Sequence, residues 1–207
     1  MAAEADQGPG ERATPDNWMC PPPGGWTYDQ VKDLESPDDW ELLDGNIVAR
    51  GMAVWKHNYA RDQLFCQLES GCREPFAVNV EQGILINDCT ALKPDVVVFD
   101  ASELDIDTVT QIPVEKVALV VEVMSEGSRS ADQDRKPTLY AKRGVRSYWR
   151  IEWDEGGLPV MHEYWLDQEM GLYAPSPDGR IHTEKLVTSI PYPVEIDLRA
   201  LVRRRTT

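Results

Sequence analysis

The chain has 207 residues, 42% hydrophobic and 28% charged, which suits one sizeable domain with its own core. No apolar stretch approaches the roughly 20 residues that span a bilayer, and the N-terminus has neither an apolar core nor a basic start, so no membrane span or secretory leader is expected and the reading is cytoplasmic. The formal net charge of −15, from 21 basic and 36 acidic residues, repels nucleic acid at long range, so contact with DNA requires a local basic patch or bound cations.

Residues 1–24, rich in Pro, Gly, Ala and Glu, read as a disordered lead-in. Thr27 is placed to cap a short helix containing Val31 and Leu34, stopped near Ser36-Pro37. Trp40-Glu41-Leu42-Leu43, the turn Asp44-Gly45 and Asn46-Ile47-Val48 read as a β-hairpin. A helix is expected over 54–70, with Tyr59, Leu64, Phe65 and Leu68 as its apolar stripe and Gly71 as its stop. Residues 76–80 and 84–86 look like paired short strands, followed by strands over about 94–99 and 117–124 on either side of an acidic connection. The helix over 134–143 has Leu139 and Tyr140 on its inner face and ends at Gly144. A strand at 147–153 completes a β-α-β unit, whose strands should be parallel with a right-handed crossover.

The remainder is β-rich, over about 160–166, 170–175 and 193–198. The order predicts an α/β (α+β) fold: a mixed β-sheet flanked by helices, with extra C-terminal strands. One domain is expected over 25–200, with a basic tail at 201–207 carrying Arg203, Arg204 and Arg205. Cys20, Cys66, Cys72 and Cys89 form no Cys-x-x-Cys pair and read as reduced, mostly buried thiols. Trp149, Trp153 and Trp165, at strand spacing, read as sheet packing rather than base-stacking platforms.

The chemistry concentrates between Lys93 and Trp149. Lys93-Pro94-Asp95 precedes the apolar run Val96-Val97-Val98-Phe99, and Val117-Ala118-Leu119-Val120-Val121 leads into Glu122. Two apolar strands thus each carry one carboxylate, and Lys136 follows on the next element. An unpaired charge in such a place costs several kcal/mol. Two neighbouring carboxylates also raise one another's pKa unless a cation lies between them. Mg²⁺ or Mn²⁺ takes carboxylate oxygens and keeps several waters, and a lysine beside such a centre is the apparatus of phosphodiester hydrolysis. Lys136, Lys142 and Arg146 form the nearest basic group for a nucleic-acid backbone, joined by Arg143.

These residues resemble a known family. Pro94-Asp95, the Glu122 strand, Asp132, Lys136 and Tyr140-Ala141-x-x-Gly144-Val145-x-x-Tyr148-Trp149 look like the Uma-type endonuclease family of the PD-(D/E)xK nuclease superfamily. Upstream, the resemblance takes in Trp40 through Val48 and His57, and it covers roughly residues 26–166. It implies a restriction-endonuclease-like fold. It also implies Asp95 and Glu122 as metal ligands, Glu41 as the N-terminal acid completing the metal shell, and His57 as a histidine near the site. The superfamily's usual lysine lies two residues after the acid, where this chain has Met124; the lysine of the following helix, Lys136, takes its role. Two departures stand out. Pro137 after Lys136 requires the helix to start near Asp134–Lys136, and Ser125-Glu126-Gly127-Ser128 replaces the usual Ser-Pro-Ser. The expected activity is metal-dependent hydrolysis of DNA, with weak, metal-dependent DNA binding and a homodimer as an open possibility. The alternatives are a catalytically inactive nuclease-fold binding or dimerisation module, and a phosphoesterase acting on small nucleotides.

Overall fold

Among the described residues, apolar runs punctuated by Gly, Pro and Asp fold into three α-helices and fourteen strands. The computed structural model describes residues 11–36, 39–124, 131–179 and 181–203, with the backbone alone over 131–134. In chain order the elements are α1 (Tyr28–Val31), β1 (Trp40–Leu43), β2 (Asn46–Ala49), α2 (Trp55–Gly71), β3 (Phe76–Val80), β4 (Gly83–Asn87), β5 (Thr90–Leu92) and β6 (Val96–Asp100). Then follow β7 (Gln111–Pro113), β8 (Val117–Val123), α3 (Ala131–Lys142), β9 (Ser147–Trp153), β10 (Pro159–Asp167), β11 (Leu172–Pro175), β12 (Ile181–His182), β13 (Lys185–Thr188) and β14 (Val194–Asp197). The described residues divide into two compact units: residues up to Gly51 with Leu85–Leu92, and Met52–Ile84 with Lys93 onward.

In the first unit, β1 and β2 form the expected hairpin, with Leu43 opposite Asn46, and β5 pairs the other edge of β1 at Leu42 and Ala91. Asp44 (φ 45°) and Gly45 (φ 78°) both lie in the left-handed region, as the tightest hairpin turn demands. Gly45 is needed for a second reason: a Cβ there would stand 2.7 Å from the Gly25 Cα. The core is Trp26, Val31, Leu42 and Ala91, flanked by Trp18, Leu34 and Trp40. α1 is a single turn, with the Gln30 side chain accepting from the Thr27 N–H at 2.8 Å. Of the lead-in expected over 1–24, residues 1–10 lie outside the described residues. Residues 11–24 form turns that bury Ala13, whose N–H donates to Gln30 O.

The second unit is built on a seven-stranded sheet with strand order β11-β10-β9-β8-β6-β3, and β12 pairs β10. β8 and β9 run parallel across the α3 crossover, as the β-α-β pattern requires, and the other pairs are antiparallel. The expected pairing of 76–80 with 84–86 does not form. β3 pairs β6 from Phe76–Asp100 to Val80–Val96, while β4 belongs to a different sheet. β6 is buried along its length and needs a ladder on both sides, so β3 is drawn to it rather than to its sequence neighbour.

The core of this unit packs α2, through Ala60, Leu64 and Leu68, onto Val96, Val98, Leu119, Val121, Trp149 and Ile151. Gln67 exchanges two hydrogen bonds with the Asp197 backbone and Tyr192 donates to Leu68 O, which fastens the β13–β14 hairpin to α2. Leu201 is buried in the last turn, so the expected tail begins inside this core; residues 204–207 lie outside the described residues. Trp149 is fully buried and Trp153 packs at the core edge, donating to Met124 O at 2.8 Å. The cysteines correct their expectation. All four are free, but Cys20 and Cys66 are exposed and Cys72 and Cys89 half-buried, Cys66 because it falls between the Leu64 and Leu68 positions on the outer side of α2. No helix among the described residues is long and apolar enough to cross a membrane.

Gly45→Ala should destabilise the protein by more than about 1–2 kcal/mol, since a left-handed alanine costs that much before the clash with Gly25 is added. Chemical denaturation followed by tryptophan fluorescence, reporting on Trp26 and Trp40, measures it.

Candidate active site

The end of the β6–β8 ladder gathers most of the residues singled out from the sequence. β6 and β8 are antiparallel neighbours with Val96 opposite Val121. One further step of that register sets Asp95 opposite Glu122, at the cross-strand separation of about 5 Å between Cα atoms. Pro94 has no N–H to extend the ladder, so the strand begins beyond it and Asp95 is left at its mouth.

Asp95 is 3% exposed, and its Oδ2 has two partners: the Val123 N–H donates to it at 2.6 Å, and His57 Nε2 stands 3.2 Å away. The carboxylate therefore continues, through its side chain, the ladder that the strand itself has left. His57 comes from the first turn of α2, on the buried stripe that continues through Ala60, Leu64 and Leu68. Its Nδ1 lies 3.4 Å from Asn58 Oδ1. Burial of the imidazole pulls its pKa down, but the hydrogen bond and negative charge of Asp95 outweigh that, and the net shift is upward.

Glu122 interrupts an otherwise buried strand on the face opposite Val121 and Val123. Lys136 Nζ stands 3.9 Å from Glu122 Oε1, and both side chains are 15% exposed. α3 starts at Ala131, earlier than the expected Asp134–Lys136, and carries Pro137 inside it. The proline removes one backbone donor but leaves the helix continuous, and Lys136 faces Glu122 rather than swinging away. Tyr148 on β9 closes the site, its phenol pKa pushed up by burial and then by the charge of Glu122. Glu122, Val123, Met124, Lys136 and Tyr148 line an open concavity with about 40 Å³ of room for solvent. That is room for a few waters.

Glu41 is buried on β1, opposite Val48, in the first unit, whereas Asp95, His57, Glu122 and Lys136 all belong to the second. Lys142 and Arg146 are exposed at the far end of α3. Lys142 is about 9 Å along the helix axis from Lys136. Ser125–Ser128 and the Asp132 side chain lie outside the described residues. A cation that sequence reading passed over is closer: Arg150 of β9 is the register partner of Glu122. The signal for it was the parallel β-α-β unit itself, which sets 122 beside 150 once the crossover is counted through.

Among the described residues no three His, Cys, Asp or Glu side chains converge as a metal shell. The donor set at the strand ends is instead two carboxylates on adjacent strands. That set fits Mg²⁺ or Mn²⁺, which binds one or two protein carboxylates and keeps its waters; it does not fit a four-ligand zinc centre.

The model of the Uma2 family, described as "Putative restriction endonuclease", matches residues 27–187. Among solved structures the chain is similar to one described as "a putative nuclease belonging to DUF820 from Anabaena variabilis ATCC 29413". The match has a TM-score of 0.64 at 17% identity and covers 84% of this chain and 96% of that one. At that identity the likeness speaks to the fold alone, which is the α+β, restriction-endonuclease-like architecture. Comparison with curated proteins gave no match.

Because the folded-state pKa of His57 is raised, its pairing with Asp95 stabilises the metal-free protein fully below the ordinary histidine value of about 6.5. That contribution is lost as pH rises through the raised folded value. The stability gap between wild type and His57→Gln should therefore be largest in mildly acidic solution and shrink in alkaline solution. Denaturant titrations across pH in the presence of chelator measure it; a gap that widens with pH contradicts the pairing.

Proposed function

Since the chain belongs to the Uma2 family described as putative restriction endonucleases, we propose that it is a divalent-metal-dependent endonuclease hydrolysing DNA phosphodiester bonds. The observation that carries the reading is the pairing at one strand end. Asp95, just before β6, and Glu122 on β8 stand opposite one another at the end of the ladder, and each carboxylate faces one basic side chain, His57 and Lys136 respectively. A stability role alone would favour apolar residues at so buried a place.

In this proposal Asp95 and Glu122 would hold Mg²⁺ or Mn²⁺ at the strand end, Asp95 reaching it from the α2 side and Glu122 from the α3 side. When bound, the ion polarises the phosphoryl group and acidifies the attacking water. The side chains do the rest. The Val123 N–H and His57 fix one oxygen of Asp95, which sets the direction of the carboxylate and lowers the cost of ordering it. Lys136 presents a compact ammonium at the edge of the solvent-filled concavity, where it orients the nucleophile and balances charge developing on the phosphate. Met124, in place of the superfamily's usual lysine, contributes no charge, so this work falls on Lys136 alone. The nucleic-acid strand would lie across the strand ends, with the reacting phosphate presented to the carboxylates.

The second reading, a nuclease-fold module that binds without cutting, is favoured by the net charge of −15 and by the absence of a three-ligand group among the described residues. Incubation of supercoiled plasmid with Mg²⁺, Mn²⁺ or EDTA separates the two. Nicking with metal and none with EDTA supports the enzyme, and no nicking under any condition supports the module.

Asp95→Asn and Glu122→Gln should each abolish Mn²⁺ binding in a calorimetric titration, and Glu41→Gln tests the remaining acid of the family pattern in the same way. Unchanged affinity in Glu122→Gln overturns the ligand assignment. Lys136→Ala should leave metal binding near wild type while turnover falls by about 10² or more. Lys136→Arg should restore little, because a planar fork replaces a point charge.

A further inference from the structure

Arg150 stands on β9 as the register partner of Glu122 on β8, so its side chain leaves the sheet on the same face and one strand spacing away, about 4.8 Å. It is held there. Its Nε lies 2.9 Å from Glu152 Oε1, and its guanidinium carbon lies 5.8 Å from the ring centre of Tyr164 on β10. The other Glu152 oxygen lies 3.6 Å from Nε2 of His162, the residue directly across from Arg150 on β10. The contact to Glu152 is an ion pair through Nε, and the Arg150 side chain is 30% exposed.

Such a partly exposed ion pair is worth little to stability, about 0–1 kcal/mol. What the arrangement provides is a guanidinium oriented in advance, beside the carboxylate of the proposed cutting site. A planar fork that is already ordered suits a phosphate, which it can grip through two parallel hydrogen bonds with little further loss of side-chain entropy. The chain's other candidate backbone contacts, Lys142 and Arg146, lie at the opposite end of α3 and cannot serve the same phosphate as Glu122 and Lys136.

We infer that Arg150 is a substrate-binding residue that grips a backbone phosphate of the nucleic-acid strand next to the one presented to Glu122, with Glu152 and Tyr164 as its positioning residues. The inference rests on the nuclease reading. It adds to that reading a track running sideways from β8 across β9 rather than along α3. It also gives an acidic protein a local anchor for a polyanion that does not depend on its overall charge.

The test is the affinity of a short fluorescent DNA duplex, measured by anisotropy in Ca²⁺ over a salt series. Ca²⁺ takes the same carboxylate oxygens. Arg150→Ala should weaken binding about tenfold and lower the log–log salt slope by about one, the signature of one lost phosphate contact. Arg150→Lys should keep the slope and recover only part of the affinity. Glu152→Gln, which keeps an oxygen beside the guanidinium, should bind near wild type, whereas Glu152→Ala should weaken binding several-fold with the salt slope unchanged, because it loosens Arg150 without removing its charge; equal or tighter binding in Glu152→Ala overturns the positioning role. Thermal melts of each variant show that the fold is retained. Wild-type affinity and slope in Arg150→Ala overturn the inference, as does a loss of affinity in that variant with the slope unchanged. If the wild-type protein itself binds no duplex in Ca²⁺, the nuclease reading falls and the role of Arg150 with it, an outcome seen before any variant is made.

Discussion

The second unit turns on a single carboxylate oxygen. Asp95 Oδ2 receives the Val123 N–H from β8 and faces His57 from α2, so three elements meet on one atom. The cost of excluding a carboxylate from water is several kcal/mol unless donors replace the solvent. These two donors are supplied by groups that would otherwise be in difficulty themselves. Val123 N–H lies at the end of a ladder whose partner strand has been cut short by Pro94. The imidazole sits on the buried stripe of an otherwise apolar helix. Each repairs the other's deficit, and the result is a strand end that is fixed rather than frayed.

From that fixed end the placement of the remaining charges follows. β8 and β6 are locked in register, so Glu122 is carried to the place opposite Asp95 but with its side chain on the face away from α2. The parallel crossover then brings α3 over that face, and Lys136 arrives within 3.9 Å of Glu122 despite Pro137. A proline in the second turn of a helix forfeits one hydrogen bond, which the packing of Tyr140 and Ala141 against the sheet offsets. The same crossover sets Arg150 beside Glu122. Acid and base residues thus alternate across the sheet, drawn from both of its sides, in a molecule whose overall charge is strongly negative. In the proposed function the local arrangement outweighs the total for a polyanionic substrate, because ions in solution screen charges beyond about 10 Å while a phosphate at the strand ends would meet Lys136 and Arg150 directly.

Much of this was legible in the chain. Asp95 and Glu122 stood out because a carboxylate at the edge of an apolar run is costly, and the cost can be read from the run itself. The hairpin at Asp44-Gly45 and the parallel β8–β9 pair were legible for similar reasons: only certain residues accept a left-handed turn, and only a crossover joins parallel strands. His57 was visible as part of a family pattern but not from periodicity, since a stripe search counts apolar residues and chose Tyr59 and Phe65 where the structure buries His57 and Ala60. The partner of β3 was misread because proximity in sequence favours a hairpin, whereas the demand of a buried β6 for ladders on both sides is visible only when all the strands are placed.

The sequence by itself therefore determined which residues are the candidates for the chemistry and which elements hold them, because local sterics and the cost of burying charge act within a few residues of one another. Which charge faces which was decided only by tertiary structure. The pairing of His57 with Asp95, the survival of Lys136's reach past Pro137 and the position of Arg150 beside Glu122 all depend on strand register and helix crossover. Those are set by the simultaneous satisfaction of backbone hydrogen bonds and core packing across the whole sheet, and no window of sequence contains them.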